Sequence, residues 1–139
     1  MTLVYPMFAL VVLTSLVASA LAIARLISLR TRAVPPDYYR LMTGATPPPY
    51  VQKITRNFSN LLEVPLLFYV VCLVALTLHL DLALLQPLAW SYVLLRVVHT
   101  AIHLSYNHPK HRLMVFFVSC LVVLAMWGEV LLQGDVSRF

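Results

Sequence analysis

Three side chains of different hydrogen-bonding character, Arg56, Asn60 and Glu63, stand at i, i+4 and i+7 in the stretch RNFSNLLEVP, at the head of a long apolar run. On a helix turning about 100° per residue they share a stripe about 60° wide, while Asn57 and Ser59 point elsewhere. A second set, Tyr92, Arg96, His99, His103 and Asn107, falls on one face of a later apolar segment, with Tyr106 at its edge. An ionisable group deep in a bilayer costs about 2.5 to 3.5 kcal/mol on insertion scales, so each needs a partner or a wet cavity. Guanidinium, amide and carboxylate on one helix facing guanidinium and imidazole on another would make a polar, net positive cleft. Its natural guest is a small anion with several hydrogen-bonding groups.

Other chemistries fit less well. His99 and His103 at i, i+4 offer two nitrogens, but zinc takes three or four protein ligands, and no Cys, Asp or HExxH pattern accompanies them. No metal is expected. Haem would need axial histidines at matched depth, whereas His79 belongs near one membrane surface and His103 near the other. Cys72 and Cys120 each lie alone in apolar surroundings and read as packing residues.

The elements that must carry these residues are membrane spans. Of 139 residues, 61% are hydrophobic and only 11% charged, well below the usual quarter for soluble domains. Spans are expected at about residues 3–27, 54–79, 87–106 and 112–132, the third opening on Pro87 and ending before Asn107-His108-Pro109. A cleaved signal peptide is the competing reading of the first, but it lacks a basic n-region and its apolar run is too long. Only helices or a closed barrel satisfy the backbone inside lipid, so the fold class is all-α, a single up-down four-helix bundle. The link at about 28–53, with Pro35-Pro36, Tyr38-Tyr39 and Pro47-Pro48-Pro49, is expected to be extended or looped.

Charge sets the orientation. Arg25, Arg30, Arg32, Arg40, Lys53 and Arg56 against Asp37 in the first loop region, with Lys110 and Arg112 in the third, oppose only Asp81, Asp135 and Arg138 on the other side. Loops one and three are therefore expected in the cytoplasm, with both termini opposite. The net charge of +5 is topogenic and needs no nucleic-acid partner to explain it. Trp90, Trp127 and Tyr5 read as interfacial anchors. Counted from the cytoplasmic ends, Glu63 and Arg96 both lie about 14 Å deep, so an antiparallel pair of spans would bring them into contact.

With those residues in place, Arg-x3-Asn-x2-Glu followed by proline on the second of four spans resembles the MAPEG family, membrane-associated proteins in eicosanoid and glutathione metabolism. The resemblance covers nearly the whole chain and looks like a bacterial branch related to the microsomal glutathione transferases. Arg96-Val97-Val98-His99-Thr100 is similar to the Arg-x2-His-Thr of those transferases. The resemblance implies glutathione as co-substrate, contacted by Arg56, Asn60, Glu63, Arg96, His99, His103 and Tyr106. Arg112 at the start of span four would stabilise the thiolate, and an arginine near the end of span one, Arg30 first with Arg32 and Arg25 as the alternatives, would meet charge developing on a lipophilic electrophile or peroxide. It further implies a homotrimer with the thiol site between subunits, in a bacterial inner membrane. Two departures stand out: His103 occupies a position where the family commonly has tyrosine, and Pro65 follows Glu63 by only two residues. The reading from another class is a non-catalytic membrane protein whose cleft binds an anionic lipid or metabolite, or serves helix packing alone.

Overall fold

Long runs of Leu, Val and Ala, interrupted by glycine only at Gly128, favour continuous helix wherever proline permits it. The computed structural model describes residues 3–80 and 83–133. Asp81, Asp135 and Arg138, used above for orientation, lie outside the described residues. Six helices follow one another: α1 (Val4–Arg30), α2 (Tyr38–Leu41), α3 (Pro49–Leu62), α4 (Val64–Thr77), α5 (Leu85–Leu104) and α6 (Pro109–Gln133). No strand occurs among the described residues. α3 and α4 run on as one rod, so four rods pack side by side, α5 most extensively against α6 and α1 against α3.

The rods stop where the backbone turns left-handed. After α1, Arg32 has φ 53° and Ala33 donates back to the Ser28 carbonyl at 2.9 Å. His79 after α4 and Asn107 after α5 also take positive φ, 54° and 52°. Leu80 N–H then reaches the Ala75 carbonyl at 2.9 Å, and Asn107 N–H the Ile102 carbonyl at 2.8 Å. These bonds satisfy carbonyls that a helix end leaves without partners.

Proline shapes the second rod twice. The sequence reading places Pro47-Pro48-Pro49 in an extended link, and two of the three are; Pro49 instead opens α3 as its first residue, where its missing N–H costs nothing. The rod therefore starts five residues earlier than Ile54 and shortens the link, which also holds the one-turn α2. Pro65 has no N–H for the Leu61 carbonyl, and the rod breaks just before it at Glu63, with φ −84° and ψ −87°.

The bundle buries polar residues and exposes apolar ones. Arg96, His99, His103, Asn57 and Ser28 are at most 1% exposed, while Phe8, Leu16, Leu66, Leu94, Phe117 and Leu124 each exceed half exposure. By length and composition α1, the α3–α4 rod and α6 can each cross a membrane. α5, at 20 residues, has the length for about 30 Å, but one of its faces is polar. At the end away from that polar face the core is apolar: Leu10, Phe68, Val71, Cys72, Ala75, Ala89, Val123 and Met126 pack together. Phe68 stacks on Tyr92 with ring centroids 4.7 Å apart.

In lipid, where packing rather than water exclusion holds helices together, such a contact is worth most when it leaves no void. Phe68→Ala should destabilise the bundle by about 3 kcal/mol or more through the cavity it opens. Thermal unfolding in detergent should show a clear fall in midpoint for Phe68→Ala and almost none for the exposed Leu73→Ala; equal falls would overturn this assignment of the core.

Candidate functional site

On α5 the side chains of Tyr92, Arg96, His99 and His103 all point inward and are buried. The partners they meet differ from those that depth matching suggests. The Glu63–Arg96 ion pair is absent: Glu63 is exposed, and Arg96 Nη2 donates to the main-chain carbonyl of Asn60 at 2.8 Å. The break at Glu63 explains this. In an unbroken helix the Asn60 carbonyl would take the N–H four residues on, and here a guanidinium from the neighbouring rod supplies the donor. The Phe116 ring lies 5.7 Å from the same guanidinium carbon, a second stabilising contact for a buried cation. Arg96 Nε and Nη1 are buried and have no acceptor among the described residues.

The stripe of α3 is also rotated from its expected setting. Asn57, which the stripe excludes, is the fully buried polar residue of this helix, and its Oδ1 accepts from Thr100 Oγ1 at 3.4 Å. Arg56 is exposed and Asn60 half-buried. The signal for Asn57 was in the sequence: at i+4, i+8 and i+11 from it come Leu61, Pro65 and Phe68, the buried face of the rod.

α6 completes the site from its first turn. Arg112 Nη1 donates to Asn107 Oδ1 at 2.9 Å and approaches His103 Nε2 at 3.4 Å. Neither partner is a carboxylate, and among the described residues no carboxylate touches Arg112, so its positive charge has no counter-ion there. Arg112, Asn60, His99, Pro109, Leu113 and Phe116 line an open cavity of about 180 Å³. His99 and His103 sit with ring centroids 5.7 Å apart, and the Nδ1 atom of each is buried without a partner. Phe116 and Pro109 enter the site without having been singled out for it, because their types carry no chemistry in isolation, whereas Asn107 belongs to the polar face expected from the spacing.

Several expected members stand apart. Tyr106 is exposed, with its hydroxyl 3.2 Å from His111 Nδ1 beyond the end of α5. Arg30 and Arg32 are exposed at the end of α1 and do not line the cavity. The inward arginine of α1 is Arg25, with its guanidinium carbon 5.7 Å from the centre of the Tyr39 ring. Arg56 lines a separate hollow together with Arg25.

If Arg96 serves as the donor that caps the broken helix, its loss is costly and the loss of Glu63 is not. Arg96→Leu should destabilise the protein by about 1 to 3 kcal/mol, leaving the Asn60 carbonyl without its donor. Glu63→Gln should stay within about 0.5 kcal/mol of wild type. Parallel thermal unfolding of the two variants in detergent decides between them, since equal destabilisation would mean that they act as an ion pair after all.

No curated protein and no solved structure matches the chain. Residues 3–132 match the family model of the MAPEG family, a stretch that takes in every helix bearing the polar faces described above. With three helices long and apolar enough to cross a bilayer, the chain is an integral membrane protein that belongs to the MAPEG family.

Proposed function

We propose that the protein is a membrane-bound glutathione transferase-like enzyme that holds glutathione as a thiolate for attack on a lipophilic electrophile or peroxide. The observation that carries this reading is Arg112: a cation held only by neutral acceptors, on the wall of a cavity it shares with Asn60 and His99. A guanidinium beside a thiol favours the charged form and so raises the fraction of nucleophile at neutral pH. The reacting sulfur belongs to the tripeptide, and no side-chain nucleophile is needed. In a transfer the sulfur lone pair forms the new C–S bond while the electron pair of the breaking bond leaves with the departing group. In peroxide reduction the sulfur takes the terminal oxygen, and the alcohol leaves.

The remaining polar groups suit the rest of such a ligand. Arg96, His99 and His103 supply buried polar atoms with no partner among the described residues, and Asn60 adds a half-buried amide. Arg56 and Glu63, exposed at membrane depth on the flank of the rod, favour cover by a second copy of the chain. A homotrimer with the thiol site at the junction meets that need. In it Arg30, from the end of an adjacent α1, is assigned the charge developing on the electrophile, and Tyr106 the mouth of the site. A bacterial inner membrane, with the arginine-rich ends of the rods in the cytoplasm, fits the charge distribution.

Titration of the detergent-purified protein with glutathione, followed by thiolate absorbance in the ultraviolet, tests the proposal. Wild type should develop the thiolate band. Arg112→Ala should lose it and lower turnover with a model electrophile by about 100-fold or more. Binding without a thiolate band would remove the catalytic claim, and no binding at all would leave the cleft a packing device.

A further inference from the structure

A second polar hollow is larger than the one beside Arg112. It lies between the end of α1, the start of α3 and the link between them, has a volume of about 290 Å³, and is walled by Arg25, Tyr38, Tyr39, Gln52, Thr55 and Arg56 among others. Two arginines meet there and no carboxylate lines it. Asp37, adjacent in sequence, is exposed and pairs with Arg40 at 3.4 Å instead. The Arg25 Nε is buried and has no acceptor among the described residues.

The surroundings hold Arg25 in place for a guest. Its own carbonyl accepts from Ser28 Oγ at 2.8 Å, so the Ser28 hydroxyl proton is committed, and Tyr39 must donate to Ser28 Oγ at 2.7 Å. That fixes the Tyr39 ring beside the guanidinium, with the Tyr38 ring edge-on at 5.0 Å. Gln52 Nε2 ties α3 to the Pro47 carbonyl at 2.8 Å and closes the hollow from the link side. Tyr39, held by Ser28, thus keeps a ring beside an arginine that has no counter-ion among the described residues.

Position narrows the guest further. Arg25 lies five residues from the end of α1, and Arg56 seven from the start of α3. At about 1.5 Å per residue both sit roughly 8 to 11 Å inside the ends of their rods, the level at which a bilayer changes from acyl chain to headgroup. We propose that this hollow is a binding site for a phosphate group, the phosphodiester of an anionic phospholipid headgroup being the occupant its depth favours. Paired guanidinium groups match phosphate oxygens in shape as well as charge. A basic pocket between helices at the membrane surface is where headgroup recognition operates. The hollow is separate from the cavity beside Arg112, although Arg56, which the resemblance gives to glutathione, lines it, so Arg25 and Thr55 carry its test and Arg112→Ala separates it from the thiol reading.

Delipidated protein in a neutral detergent should gain thermal stability when phosphatidylglycerol is added to the micelles, and much less from phosphatidylcholine. Native mass spectrometry should show phosphatidylglycerol retained on the protein. Arg25→Gln should weaken that retention by about fivefold or more, with Arg25→Lys falling between it and wild type, and Arg112→Ala should retain the lipid as wild type does. Should Arg25→Gln fail to fold, Thr55→Ala provides the second variant, with weaker retention again expected. Stabilisation by inorganic phosphate without any preference between the two lipids would support the phosphate site with a free anion as its occupant. The proposal is overturned if neither phosphate nor phosphatidylglycerol acts differently from phosphatidylcholine, or if the folded Arg25 and Thr55 variants retain phosphatidylglycerol as wild type does.

Discussion

A guanidinium buried without a carboxylate is the constraint around which the polar half of this bundle is arranged. Arg96 is fully enclosed, and its one protein acceptor is the main-chain carbonyl of Asn60. That carbonyl is open to it because Pro65 interrupts the rod two residues after Glu63. Break and arginine are complementary defects: a helix missing a donor meets a side chain in need of an acceptor. Each would be expensive alone, and together they fix α3 against α5 at one register. Everything placed on those two helices, from Asn57 and Thr100 to His99 and Asn60, inherits its position from that contact.

The same economy runs through Arg112. An arginine tied to a carboxylate would be half-neutralised, whereas Asn107 and His103 orient this one while leaving its charge intact. His103 stands where the resemblance leads one to expect tyrosine, and here its Nε2 faces the Arg112 guanidinium. The departure therefore keeps a neutral acceptor beside the arginine. Asn107 does double duty, since its left-handed backbone ends α5 and its side chain steers the first turn of α6. Asparagine tolerates that backbone better than most residues and carries an acceptor besides.

Much of this was legible in the sequence. Composition and spacing mark the helical membrane class and the inward face of α5, and the resemblance singles out Arg112 near the head of α6. What was not legible is instructive. Glu63 and Arg96 are matched in depth, yet depth says nothing about rotation around a rod, and the break turns Glu63 outward. Asn57 was set aside because the stripe was drawn through the three residues of richest chemistry, while the buried face of the same helix runs through Asn57, Leu61 and Pro65. The arginine of α1 that faces inward is Arg25 rather than Arg30, a distinction of little more than one turn. It depends on where the helix ends, and the left-handed Arg32 sets that end.

The two polar hollows differ in what the chain has invested in them. Around Arg112 the tethers are few, and several buried polar atoms are left open, as suits a site where a ligand enters, reacts and leaves. Around Arg25 the Tyr39 and Ser28 hydroxyls are bonded to each other and to the α1 main chain, and Gln52 to the Pro47 carbonyl, which suits a guest that stays. α3 forms a wall of both, with Arg56 facing one and Asn60 the other, one helical turn apart. Any shift of α3 that tightened one hollow would therefore move a wall of the other. The Arg96 contact to the Asn60 carbonyl is what holds α3 against such a shift, so the buried arginine guards the geometry of both sites at once.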